Sequence, residues 1–313
     1  MNSLEDILRL SQPKLFKRLC KKFKGKILIS KGNFILVHGA APILLVAHLD
    51  TVHEETVRVI CKSDDGNILM SPQGIGGDNR CGVFALIEIY QSMKVKPYLL
   101  FTCDEEIGGQ GARKFCIAHK QHQLPKEIDD LKLIVEIDRR GASDAVYYDC
   151  DNIDFEDYIS SKGFKTAQGS FSDISVIAPE LGIAAVNLSS GYYNAHTKHE
   201  YINLAELECT IQKVYEIISD VFKSDFPRFE YRERLFAKKI GYLKQPISET
   251  YFYEEWDNLP GKIPAEFRDI YEELLFEFSI EELESFRAEY GDNILVQLYH
   301  EACLSNYYDY NQK

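Results

Sequence analysis

At 313 residues, 45% hydrophobic and 27% charged, the chain is long enough for one large core with an appendage, or for two modest domains. Its longest apolar runs are strand-sized. Residues 1–25 are lysine-rich and amphipathic, without the continuous apolar segment or small-residue cleavage site of a signal peptide, so no membrane partner and a cytoplasmic location are expected. The net charge of −13 argues against nucleic acid as a partner, because binding phosphates needs a basic footprint.

In chain order, residues 3–23 repeat apolar positions at three and four, which predicts one or two helices with Ser3 as N-cap. KILISKGNFILVHG reads as a hairpin around Lys31–Asn33, APILLVAHLD as a buried strand, and RVICKSDDGNILM as a second hairpin with Asp-Gly at its turn. CGVFALIEIYQSM is helical, KPYLLFTCDEE a buried strand, GARKFCIAHKQH a helix and LKLIVEID again a buried strand. AVYYD reads as a strand and IDFEDYISSKGF as a helix, SDISVIAPELG as a short helix ended by Gly182, and IAAVNLSS as the last buried strand before the helix LAELECTIQKVYEIISDVFKS. Strands alternating with helices favour an α/β fold with a mainly parallel sheet.

From Phe226 the sequence becomes aromatic-rich, acidic and helix-patterned, punctuated by Pro246, Pro260, Gly261 and Pro264. Residues 246–313 hold sixteen Asp or Glu against four Lys or Arg, which leaves the first 245 residues nearly neutral. EFRDIYEELLFEF and IEELESFRAEY carry enough Leu, Ile, Phe and Tyr to pack, so a small helical bundle is expected rather than disorder. The division is therefore a domain over 1–225 and a helical appendage over 226–313. The appendage offers a surface for a protein partner or for self-association.

Eight cysteines are scattered without CxxC spacing and read as reduced and mostly structural. Cys81 and Cys103 lie near the candidate site as neighbours. His48, Asp78, Glu105, Glu106, Asp138 and His196 each follow an apolar run or a glycine turn: LLVAHLD, GIGGDNRCG, LLFTCDEE, LIVEID and NAHTKHE. In an open α/β sheet, sites gather outside the carboxyl ends of the strands, so these residues should converge on one rim.

The set suits a pair of divalent metal ions, zinc first with cobalt or manganese as alternatives, because imidazole and carboxylate match that borderline softness. Metal one takes His48, Asp78 and Asp138; metal two takes Asp78, Glu106 and His196. Asp78 is the bridge, in a glycine turn that lets backbone approach closely. Asp50, two residues past His48, orients that imidazole. Glu105 is left to take a proton from the attacking water and deliver it to a leaving amine. His38, His53, His119, His122 and His300 read as satisfied structural histidines. His199 competes with His196, which is preferred as the histidine of a His-x-x-x-Glu pattern ending at Glu200. Asp104 reads as a turn acid, and Asp173 as a substrate or structural residue near the site.

On HLD (48–50), GGDNRCG (76–82), DEE (104–106), EID (136–138) and HTKHE (196–200), the sequence resembles the co-catalytic di-zinc exopeptidases, which include peptidase T, glutamate carboxypeptidase-like enzymes and the glutamyl and leucyl aminopeptidases. That resemblance implies a three-layer α/β sandwich with a mainly parallel mixed sheet of the phosphorylase/hydrolase-like kind, hydrolysis of a small peptide or amide substrate, and the roles assigned above. Many relatives insert a lid of on the order of 100 residues. Here 58 positions separate Asp138 from His196 and 30 separate His48 from Asp78, so neither gap holds one, although the HTKHE and DNRCG wording resembles the lidded branches. Without a lid, Tyr192 or Tyr193 is a candidate donor to the oxyanion, and Arg139 or Arg140 a candidate grip on a substrate carboxylate. The expected function is a metal-dependent aminopeptidase or exopeptidase. An N-acyl amine deacylase of the same fold and a non-catalytic scaffold presenting the tail are the alternatives.

Overall fold

The computed structural model describes residues 3–30, 33–233, 271, 274, 280–291, 294, 295 and 298. The chain divides into two compact units, Met1–Leu235 and Phe236–Lys313.

The first unit opens with α1 (Leu4–Leu8), whose N-cap Ser3 accepts the backbone N–H of Asp6, and α2 (Gln12–Lys22). Then follow β1 (Ile27–Ser30), β2 (Phe34–Val37), β3 (Ala41–His48), β4 (Cys61–Lys62), β5 (Ile68–Met70) and α3 (Gly77–Ser92). Next come β6 (Pro97–Thr102), α4 (Gln110–Lys120), β7 (Leu133–Arg139), β8 (Asp144–Val146), α5 (Ile153–Ser161) and β9 (Lys165–Ala167). The unit ends with α6 (Asp173–Leu181), β10 (Ala185–Ser189), β11 (Tyr192–Tyr193), β12 (Tyr201–Asn203) and α7 (Leu204–Val221). Caps set several of these boundaries: Asn152 accepts from Phe155 N–H, Asn203 from Ala205 and Glu206 N–H, and Gly182 ends α6 at φ 64°.

One sheet runs β1-β2-β6-β3-β7-β10-β8-β9. Its centre, β6-β3-β7-β10, is parallel, while β1-β2, β2-β6 and β10-β8 are antiparallel. The central strands are buried on both faces, which is why they read as continuous apolar runs. On β3, Ile43, Leu45 and Ala47 enter the core beneath α1, α2, α3 and α7, whereas Leu44 and Val46 enter the core beneath α4 and α6. Helices on both faces make a three-layer sandwich. α3 is apolar nearly all round, with Val83, Ala85, Leu86, Ile87 and Ile89 buried, and each large side chain removed from water contributes about 1.5–3 kcal/mol. No helix among the described residues is long and apolar enough to cross a membrane.

Both expected hairpins form, β1/β2 and β4/β5. The short strands β9, β11 and β12 escaped the sequence reading because two or three residues carry too little periodicity to register. Two of them matter: β12 pairs with β5 (Ile202↔Leu69) and with β11, in a second sheet ordered β11-β12-β5-β4. The sequence reading began the appendage at 226, but residues 226–233 lie within the first unit. Phe226 and Phe229 pack on Tyr158, Phe229 also on Phe155, and Glu230 and Glu233 bridge to Ile183 and Cys150. In the second unit, IEELESFRAEY is helix α8 (Ile280–Tyr290), where Glu284 accepts from Tyr271 OH at 2.8 Å. The expected bundle otherwise lies outside the described residues, as do His300 and Cys303.

Candidate metal centre

β3 delivers His48 at its last residue, and the turns after β6 and β5 deliver Glu105, Glu106 and Asp78 to the same rim; Asp138 comes from the end of β7. His48 is 1% exposed, and its Nε2 lies 3.1 Å from Asp78 Oδ1, 3.4 Å from Asp138 Oδ1 and 3.9 Å from Glu105 Oε2. Across the cluster, His196 Nε2 lies 3.3 Å from Asp78 Oδ2 and 3.2 Å from Glu106 Oε2. Asp78 thus turns one oxygen to each imidazole. Donor atoms within 4.8 Å of one another form the groups His48–Asp78–Asp138, Asp78–Glu106–His196 and His48–Glu105–Glu106. The first two are the triplets grouped from the sequence. His199 belongs to none of these groups.

The ligand backbones are tied from behind. Asp50 Oδ1 lies 3.3 Å from His48 Nδ1, and Asp50 Oδ2 accepts the N–H of Glu106 at 3.0 Å. Asn187, on β10, accepts the N–H of Asp138 at 2.9 Å. Glu200, fully buried, accepts the N–H of Asp78 and that of Gly76, each at 2.9 Å, and meets His53 Nε2 at 2.8 Å. A Cβ on Gly77 would come within 2.7 Å of Tyr192 Cβ, so only glycine lets the Asp78 turn sit so close to β11. The Asp78–Asn79 peptide bond is cis.

A cation fits this donor set. Four carboxylates and two imidazoles crowd together, and Glu106 Oε1 is buried without a hydrogen-bond partner. Burial, together with the charges of Asp138, Asp173 and Glu106, pushes the Glu105 carboxyl well above its usual range. Burial and the nearby Asp78 and Glu106 do the same to Asp138. Hydrogen bonds donated to Asp78 and Glu106 raise His196 to about 11, and His48 is raised despite its burial by Asp138, Asp50 and Asp78. A divalent ion held by these residues would supply positive charge among the carboxylates. Neither neighbouring thiol belongs to these groups, and burial raises Cys81 well above the usual thiol value and Cys103 to about 12.

The two tyrosines fall away as oxyanion donors. Tyr192 OH donates to the backbone carbonyl of Asp138 at 2.7 Å, and Tyr193 OH donates to Glu206 at 2.6 Å with its ring stacked on Tyr201. Arg139 Nε lies 3.8 Å from Asp144. Asp104 is a turn acid, accepting from Gln12 and Asn33. Asp173 is fully buried and accepts from Thr102 Oγ1, a structural role beneath the site. The sequence reading named Glu200 only as the end of His-x-x-x-Glu and His53 only as a satisfied structural histidine, without their support of the Asp78 turn, and it missed Asn187. A single asparagine in the apolar run AVNLS and the glutamate closing His-x-x-x-Glu were the available signals; His53 offered none.

The ends of the central strands thus gather paired imidazoles and carboxylates able to hold metal ions. A sequence profile of Peptidase family M28 matches residues 35–202, more than half of the chain, and the chain belongs to that family. Solved structures share the fold. Aminopeptidase PepT from Bacillus cereus is 15% identical with a TM-score of 0.55, over 70% of this chain and 97% of that one. A tripeptidase from Staphylococcus aureus is 16% identical with a TM-score of 0.54, again over 70% and 97%. The PhTET1-12s dodecamer is 14% identical with a TM-score of 0.51, over 69% and 97%. No curated protein matches the sequence.

Proposed function

We propose that the protein is an aminopeptidase acting on short peptides, with His48, Asp78 and Asp138 holding one divalent ion and Asp78, Glu106 and His196 a second. Zinc suits this set best, since imidazole and carboxylate are its common ligands. Once bound, such ions polarise a carbonyl and make water nucleophilic at neutral pH. The chain's own residues do the rest. Glu105 takes the proton of the attacking water and returns it to the leaving amine, work that suits a carboxyl buried among like charges. Asp50 holds His48 and the Glu106 backbone in position. A reducing, cytoplasmic setting is supported by eight cysteines scattered without CxxC spacing.

The observation that carries this reading is the division of Asp78, whose two oxygens lie 3.1 Å from His48 and 3.3 Å from His196. The test is a panel of di- and tripeptides with free or acetylated amino termini, resolved by chromatography. Release of the first residue from the free peptides is expected. Cleavage of the acetyl group alone would make the protein a deacylase, and no turnover of any peptide would contradict an aminopeptidase.

A further inference from the structure

The buried carboxylate of Glu200 does work that neither the ligand set nor the proton shuttle accounts for. Its two oxygens take up the N–H groups of Gly76 and Asp78, so it spans the turn that presents Asp78. Its third polar neighbour is His53, 2.8 Å away and 11% exposed, whose ring packs so closely on Gly74 that a Cβ there would lie 2.3 Å from it. Glu200 also closes the loop that carries His196, its own N–H bonding to the carbonyl of Thr197 at 3.2 Å.

His196 needs such an anchor. Its side chain is 56% exposed, against 1% for His48, and its backbone sits at φ 63°, a left-handed conformation uncommon outside glycine. His48 and Asp138 stand at the ends of hydrogen-bonded central strands and owe their places to the sheet. His196 stands on a loop whose tie to the Asp78 turn runs through Glu200 and the pairing of β12 with β5.

We propose that Glu200 is a positioning residue, seated by His53, that holds Asp78 and His196 in register and thereby sets the affinity of the metal position shared by Asp78, Glu106 and His196. The position on His48, Asp78 and Asp138 depends on it less. This rests on the reading of the site given above.

The experiment uses the full chain, stripped of metal and titrated with zinc against a chromophoric chelator, together with melting of the metal-free protein and steady-state kinetics. In Glu200→Gln an NH2 replaces one of the two accepting oxygens and must face a backbone N–H, that of Asp78 or that of Gly76, so the weaker zinc affinity is expected to fall about 10–100-fold and the tighter one less than about threefold. The metal-free melting temperature should fall only modestly, as one buried hydrogen bond is lost, and kcat should recover as zinc is raised while KM changes little. Unchanged affinities overturn the proposal. So does an equal loss at both positions accompanied by a much lower metal-free melting temperature, which would mark a general scaffold residue.

If Glu200→Gln does not fold, His53 carries the test. His53→Leu should weaken the same position and His53→Gln, which keeps a donor, should restore it; wild-type affinity in His53→Leu overturns the proposal. A wild-type chain that binds no zinc overturns the site itself and the proposal with it, and is distinguishable because it precedes any variant.

Discussion

Asp50 joins two candidate ligands: one oxygen lies 3.3 Å from His48 Nδ1 and the other accepts the backbone N–H of Glu106 at 3.0 Å. One carboxylate therefore fixes the ring orientation of His48 on β3 and the position of Glu106 on the loop after β6. Hydrogen bonds of this kind orient ligands and raise their basicity. His48 in turn holds the Asp50 carboxyl below its usual range, although burial opposes this.

Asp50→Asn should keep the fold, because the amide oxygen can still accept from Glu106, but it should lower zinc affinity about 10–100-fold. Isothermal titration of the metal-free protein measures this. An affinity equal to wild type would show that His48 needs no support from Asp50.

Removal of metal should lower stability, because Asp78, Glu106 and Asp138 must then repel one another or take up protons. An ion that binds only the folded state adds about 3–4 kcal/mol at free concentrations of about 100 to 1,000 times its Kd. Melting with chelator and with added zinc should bracket a clear interval. A melting temperature indifferent to both would count against a metal centre.

Tyr192→Phe removes a hydroxyl whose hydrogen goes to the Asp138 carbonyl. The expected cost is about 0.5–1.5 kcal/mol of stability, read by urea unfolding. Turnover should drop by well under the roughly 100-fold loss that follows removal of an oxyanion donor. A loss of that size in kcat would return Tyr192 to the role first suggested for it.

Far from the site, Asp220 clamps α7 to α5, with Lys162 Nζ at 2.5 Å, Lys223 Nζ at 2.6 Å and Tyr158 OH at 3.1 Å. Burial opposes ionisation, but these three partners hold the carboxyl at about 2. A depressed carboxyl stabilises the fold above its unfolded value of about 3.9, and that contribution is lost as pH falls through the folded value. Asp220→Asn should cost about 1 kcal/mol near pH 6, the scale of an ion pair at the surface, and progressively less as pH falls below 4. Unfolding at several pH values measures the difference, and a cost that grows on acidification would reverse the assignment.

The site residues were legible because their chemistry is rare and regularly placed: a histidine or carboxylate closing an apolar run marks a strand end. LLVAHLD and LIVEID gave both the strand and the candidate ligand, and the glycines before Asp78 gave the turn. The supports were illegible for the opposite reason. His53 looks like any surface histidine, and its bond to Glu200 joins residues 147 positions apart. The tyrosines misled because closeness in sequence to His196 says nothing of where a hydroxyl points; β11 turns Tyr192 inward and pairs Tyr193 with Tyr201. The unit boundary depended on Phe226 and Phe229 meeting Tyr158, a contact that composition does not reveal.

The central claim is that Glu105 moves the proton beside a pair of metal ions that other residues hold. Its most direct test is elemental analysis and peptide turnover in the wild-type chain and in Glu105→Gln, side by side. The expected result is near two metal ions per chain in both proteins, with turnover lost only in the variant. Turnover that survives Glu105→Gln, or carefully reconstituted wild-type protein that holds no metal, would contradict it.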